Sequence, residues 1–199
     1  MPLKFQYNKT FLHQLGRELK VRENALPTLQ AKESALRLEV KRARMELRQN
    51  EEEYRRHCEE LVDLHRLWVE FPAGLVAVEK VGMSMRKVAG VRVPVLDGIS
   101  FTVAPYSMVS LPAWVPMGIA MLKELVTLAV LVDIARATVA ELERARRKTT
   151  QKVNLYEKVQ IPEYRESIRK IKRFLEDDEN LAKASQKILK VRLAAEVAA

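Results

Sequence analysis

The sequence predicts a mainly α-helical fold: a long antiparallel two-helix coiled coil, formed by the N- and C-terminal helices, with a small β-hairpin-containing segment in its middle. Three observations predict it. A sustained heptad repeat runs from Leu15 to Phe71 within an N-terminal helical segment, 1–71. The middle segment, 72–116, holds four of the six Gly and five of the eight Pro. Helical periodicity then returns over 117–199. Composition agrees: 31% of the 199 residues are charged and only 6% are aromatic, a balance typical of long helices. A hydrophobic content of 48% excludes a disordered chain.

The first helix is read from its repeat. Alternating steps of four and three from Leu15 pass through Leu19, Leu26, Leu29, Leu36, Val40, Leu47, Tyr54, Leu61, Leu64 and Trp68. A spacing of 3.5 falls just short of a helical turn, so this seam wraps left-handedly around a partner. Asn8 or Thr10 is placed to cap the start. Pro27 interrupts the pattern and is expected to kink the helix.

The middle segment changes character at Pro72. Val88-Ala-Gly-Val-Arg-Val-Pro-Val95 is rich in β-branched residues, Asp97-Gly98 follows, and Ile99-Ser-Phe-Thr-Val103 comes next. Two such runs around Asp-Gly predict a hairpin turning at Asp97-Gly98. Pro94 belongs at a strand edge or end. Val88, Val91, Val93, Val95, Ile99, Phe101 and Val103 are the candidate partner-binding side chains here, because short strands leave edges that a partner can cover. The uncharged run 98–122 contains Pro105, Pro112 and Pro116, which argue against one membrane-spanning helix.

In the second helix, Leu122, Leu125, Ala129, Val132, Val139 and Leu142 share one stripe. Ile161, Tyr164, Ile168, Ile171 and Leu175 form another, and Leu181, Ala184, Ile188 and Val191 a third. The simplest partner for either long helix is the other one. Pairing that begins at Phe71 and Met117 makes paired residue numbers sum to about 188. Pro27 and Pro162 then fall at one level.

The chemistry-bearing motifs are few. There is no phosphate-binding Gly-x-x-x-x-Gly-Lys-Ser/Thr loop, no nucleophile elbow and no His-Glu-x-x-His. His57, Cys58 and His65 lack the i,i+4 spacing of helix-borne metal ligands. A single Cys excludes an internal disulfide. No cofactor or metal site and no catalytic residue is expected. The N-terminus shows no apolar leader, so the expectation is a reducing, cytoplasmic setting. The net charge is +9, and 117–199 carries most of the excess. Arg144, Arg146, Arg147, Lys148 and Lys152 form a run without an acidic residue, and Lys183, Lys187 and Lys190 follow further on. Such a run faces either an acidic partner or solvent. Nucleic acid is not the expected partner, because no aromatics alternate with the basic groups.

Specific residues then point to a family. Arg146-Arg-Lys-Thr-Thr-Gln-Lys-Val-Asn-Leu-Tyr-Glu-Lys-Val-Gln-Ile-Pro162 resembles a signature of the D subunits of V-type and archaeal-type rotary ATPases. Val88-Ala-Gly-Val-Arg-Val-Pro94 resembles a second segment of that family. Asn8-Lys-Thr10, Leu26-Pro-Thr-Leu29 and Lys32 resemble its bacterial branch. The resemblance covers nearly the whole chain. It implies a non-catalytic central rotor shaft. The terminal helices would enter the head of A and B subunits, and the hinge would face the C/d-type socket of the membrane rotor. The small F subunit would bind alongside, with the complex peripheral on the inner face of the membrane. The basic residues named above would then face the head. A cytoplasmic coiled-coil adaptor with a hairpin binding module is the competing reading.

Overall fold

The computed structural model describes residues 6–109 and 111–197. In chain order they form helix α1 (Lys9–Asp63), a short helix α2 (His65–Trp68), strands β1 (Val76–Val88) and β2 (Val91–Val103), and helix α3 (Val115–Asn154). A π-helical turn (Leu155–Gln160) and helix α4 (Ile161–Val197) complete it. The fold class is the predicted one: long N- and C-terminal helices with a two-stranded antiparallel hairpin between them. Contacts divide the chain into two compact units, one made of residues up to Ala31 with those from Thr149 on, the other Lys32–Lys148.

In the first unit α1 and α4 pair antiparallel. Asn8 caps α1 by accepting a hydrogen bond from the Phe11 backbone N–H at 2.6 Å. Leu15, Tyr164 and Ile171 form the buried core, with Phe11, Leu12, Leu19, Ile168 and Leu175 packed around them. Ion pairs Lys9–Glu179 (3.0 Å) and Arg165–Glu23 (2.6 Å) hold the two helices in register. These pairs, with Arg22 donating to Gln160 at 2.9 Å, set the π-helical turn and Pro162 opposite the stretch of α1 that contains Pro27. Beyond Glu179 no residue of α1 remains to face α4. Leu181, Ile188, Leu189, Val191 and Leu193 are accordingly exposed.

In the second unit α1, α3 and the hairpin share a core of Leu36, Val40, Ala43, Val93 and Leu142. Arg44 Nε donates to Glu143 at 2.9 Å and Arg136 to Glu51, again antiparallel pairs. On its other side α3 meets β2: Thr138 Oγ1 reaches the Pro94 carbonyl, and Lys123 Nζ sits 5.8 Å over the Phe101 ring. The run Val115–Leu193 includes a stretch long and apolar enough to cross a membrane by length and composition. Within it, Leu128 and Val132 are buried in this unit.

Two local expectations are corrected. The hairpin turns at Ala89-Gly90, not at Asp97-Gly98. Ala89 and Gly90 have φ of 49° and 81°, the double left-handed conformation that a two-residue hairpin turn requires. Asp97 is instead the extra residue of a bulge: Gly82 pairs with Gly98 and Met83 with Leu96. Its carboxylate accepts a hydrogen bond from Ser84 Oγ at 2.7 Å. The first helix also stops at Asp63 instead of reaching Phe71. There Trp68, Phe71 and Trp114 gather, with ring centroids 5.1–5.8 Å apart, over Leu75, Val115 and Ile119.

Candidate partner-docking surfaces

Among the described residues no group of three or more His, Cys, Asp or Glu comes together as a metal site would need. His57 lies 3.5 Å from Glu60 and 3.9 Å from Glu124, and Cys58 is half-buried. What the molecule offers is surface, of three kinds.

The first is basic and lies in the α1–α4 unit. Arg169, Lys172 and Arg173 of α4 stand beside Arg17 and Lys20 of α1, along grooves floored by Leu12, Gly16 and Ile168. Among the described residues these five cations have no carboxylate within 4.0 Å. The neighbouring pairs are closed: Arg165 on Glu23, Lys170 on Glu166, Arg22 on Glu18. Beneath the surface, Tyr164 Oη donates to Glu18 at 2.6 Å while Arg22 stacks 4.4 Å over the Tyr164 ring. The Tyr164 bond, helped by Gln14 and Arg22, lowers the Glu18 carboxyl below its usual range. Burial, then the Glu18 bond, raises the Tyr164 hydroxyl. This surface escaped the sequence reading because its residues are not contiguous. The signal was the four-residue spacing of Arg165, Arg169 and Arg173, which lines them along one helix face.

The predicted run at 144–152 is disposed differently. Arg144 and Arg147 are paired with Glu141 and Glu143 of their own helix at 3.4 and 3.3 Å. Arg146 is turned inward, its Nε buried without a hydrogen-bond partner. Lys148 and Lys152 are exposed, and Lys152 Nζ lies 5.8 Å over the Tyr156 ring. Lys183, Lys187 and Lys190 are exposed on the part of α4 beyond Glu179.

The second surface is the hairpin. Val93 is buried in the core with Leu36 and Leu142, while Val88 and Val91 pack against that core. Val95, Ile99, Phe101 and Val103 are half-buried. Alternation along β2 turns its apolar side chains to the helices. The large apolar side chains the hairpin exposes are Val78, Met83 and Met85 of β1.

The third surface is apolar and surrounds the aromatic hinge. Val69 is 85% exposed, Val109 98%, and Met108 and Met117 are likewise open. Beside them a small cavity of about 200 Å³ is lined by Tyr106, Met108, Leu111 and Pro116. Exposed apolar residues grouped around a rigid aromatic core are characteristic of a contact face.

On the seam, Leu15, Leu36 and Val40 are buried, and Leu19, Leu26, Leu29, Leu47, Tyr54, Leu61 and Trp68 are half-buried. Leu64, just past the end of α1, is 37% exposed.

A paired-helix protein that presents basic, strand and apolar faces belongs to the class of helical interaction subunits. Within that class, the chain belongs to the family of ATP synthase D subunits, which it matches over residues 11–191. It is 31% identical over 192 residues to the V-type ATP synthase D subunit of Borreliella burgdorferi, covering 96% of this chain and 95% of the relative. It is 34% identical over 160 residues to the protein of the same name from Chlamydia abortus, covering 78% of this chain and 77% of the relative. The corresponding protein of Chlamydia pneumoniae is 29% identical over 179 residues, covering 85% of each chain. The names of these relatives are those of one component of a multi-subunit, membrane-associated complex.

Proposed function

We propose that this chain is the central rotor shaft of a V-type rotary ATPase/ATP synthase. It couples ATP hydrolysis or synthesis in a head of A and B subunits to proton or sodium transport through the membrane ring, and holds no catalytic residue itself. The observation that carries this reading is the division of surfaces on a family member. The unit containing both chain ends offers unpaired cations on a helical pair. The other unit offers the hairpin and an apolar hinge. Torque transmission needs a stiff asymmetric element, and paired helices supply one. Dispersed charge, such as Arg17, Lys20, Arg169 and Lys172, attracts an acidic ring wall without the fixed apolar contacts that would stall rotation. Val69, Met108, Val109 and Met117 suit the socket of the membrane rotor, and Met83 and Met85 suit the F subunit. The complex then sits at the cytoplasmic face of the membrane.

Reconstitution with the partner subunits tests this. Truncation from Leu181 onward is expected to leave binding of the F subunit intact and to impair torque against the head. Val109→Asp with Met117→Asp is expected to abolish docking on the socket while ATPase activity of the head persists. Failure of the full chain to co-purify with A and B subunits from its native source would refute the proposal.

A further inference from the structure

Beyond the hinge residues Val115, Gly118 and Ile119, the buried positions of α3 are Leu128, Val132, Ala135 and Leu142, and their steps of four, three and seven continue through half-buried Arg146, Thr149, Val153, Tyr156 and Gln160. In α4 the buried positions are Ile161, Tyr164, Ser167 and Ile171, with Ile168 and Leu175 half-buried; the apolar ones step by three and four from Ile161. Ile171 follows Leu142 by 29 residues, one more than four heptads. In α1 no such slip occurs: Leu36 follows Leu15 by 21 residues, three heptads. The C-terminal helix therefore carries one residue in excess of its partner's register. In an uninterrupted α-helix that residue would rotate everything beyond it by about 100°, turning the seam away from α1.

The excess is absorbed at Leu155–Gln160, where the helix widens to π geometry and the Ile161 N–H bonds the Tyr156 carbonyl, five residues back. Pro162 lies two residues past the turn and has no N–H to donate. Leu155, Glu157, Lys158 and Val159 are exposed, so few tertiary contacts hold the turn. Opposite, α1 contains Pro27, which likewise removes a backbone bond. Both helices are weakened at one level.

We infer that the π-helical turn is a phase joint. It stores the one residue by which α3–α4 exceeds the heptad register and is the place where the helix yields to twist. As a device for torque this rests on the rotor-shaft reading; as a local opening site it does not. The test uses the full chain with two single-residue deletions, each at an exposed position. Deletion of Glu157 removes the excess residue and is expected to leave Tm unchanged or raised. Deletion of Ala137, in the regular part of α3, misaligns the seam and is expected to lower Tm sharply. Hydrogen exchange supplies the second readout. Amides of 156–161 in the wild-type chain are expected to exchange about tenfold or more faster than those of 128–135, and to slow when Glu157 is deleted. Equal losses of Tm for the two deletions would overturn the register argument. Equal protection across the wild-type helix would overturn the joint. In the reconstituted complex the Glu157 deletion is expected to stiffen the shaft in single-molecule twisting. Normal elasticity there, with the exchange result intact, would confine the joint to local opening and overturn its role in torque. A chain that does not assemble with the head would instead sink the shaft reading, leaving Tm and exchange to decide the joint.

Discussion

Replacing Leu36 by alanine should be among the most damaging apolar truncations in the chain. Leu36 has 0% of its surface exposed and packs with Val40, Ala43, Val93 and Leu142, where α1, α3 and β2 converge. Truncating a fully buried Leu costs about 2–5 kcal/mol, the spread reflecting how far the site can collapse. Three separate elements line this site, and none can move inward without disturbing the other two. A value of about 3 kcal/mol is therefore reasonable. For a chain of about 200 residues each kcal/mol shifts Tm by roughly 2–4 °C, so the expected fall is about 6–12 °C. The control is Leu181→Ala. Leu181 lies on an apolar stripe of the C-terminal helix in sequence but is 68% exposed, and its loss should cost under about 0.5 kcal/mol. Thermal melts followed by circular dichroism at 222 nm read both. Leu36→Asp should be worse still, because it places a charge in that core, whereas Glu39→Ala removes only a surface pair with Arg42. Equal Tm shifts for Leu36→Ala and Leu181→Ala would refute the assignment of the seam.

Other outcomes follow from single contacts. The Glu18 carboxyl is lowered from its usual value of 4.5, so its contribution is present above about pH 4.5 and lost as pH falls through the lowered folded value. The Tyr164 hydroxyl is raised above 10.0, so its contribution is present below about pH 10 and lost above it. Stability against pH should therefore flatten at both ends in Tyr164→Phe, and an unchanged profile would argue against the pair. Gly118→Ala should loosen the hinge, since a Cβ there would meet Trp114 Cζ3 at 2.7 Å and Phe71 Cε2 at 3.2 Å. Overpacking of this kind costs about 1–3 kcal/mol. The chain's two tryptophans both sit in that cluster, so intrinsic fluorescence reports the change directly. Gly90→Val should cost about 1–2 kcal/mol by forcing a β-branched residue to φ 81°, and an unchanged Tm would place the turn elsewhere.

The sequence by itself determined the helices and their pairing. Heptad spacing is a local property: Leu15, Leu36 and Val40 must share a face of any helix they form, whatever surrounds them. Antiparallel pairing followed because one chain with two long apolar seams and a Gly- and Pro-rich middle has its nearest partner in itself. Ion pairs such as Lys9–Glu179 and Arg165–Glu23 meet the register expected from that closure. The hairpin turn was not decidable locally, because Ala89-Gly90 and Asp97-Gly98 are both competent turn sequences. Tertiary packing decided it. With the turn at Ala89-Gly90 each strand runs 13 residues, and Val93 is buried in the core with Leu36 and Leu142. The basic surface of Arg17, Lys20, Arg169 and Lys172 also needed the fold, since its members come from opposite ends of the chain. The one-residue slip at Leu155–Gln160 emerged only from the buried positions of α3 and α4. Its meaning depended on the partner: only against the unbroken repeat of α1 does a residue become an excess one.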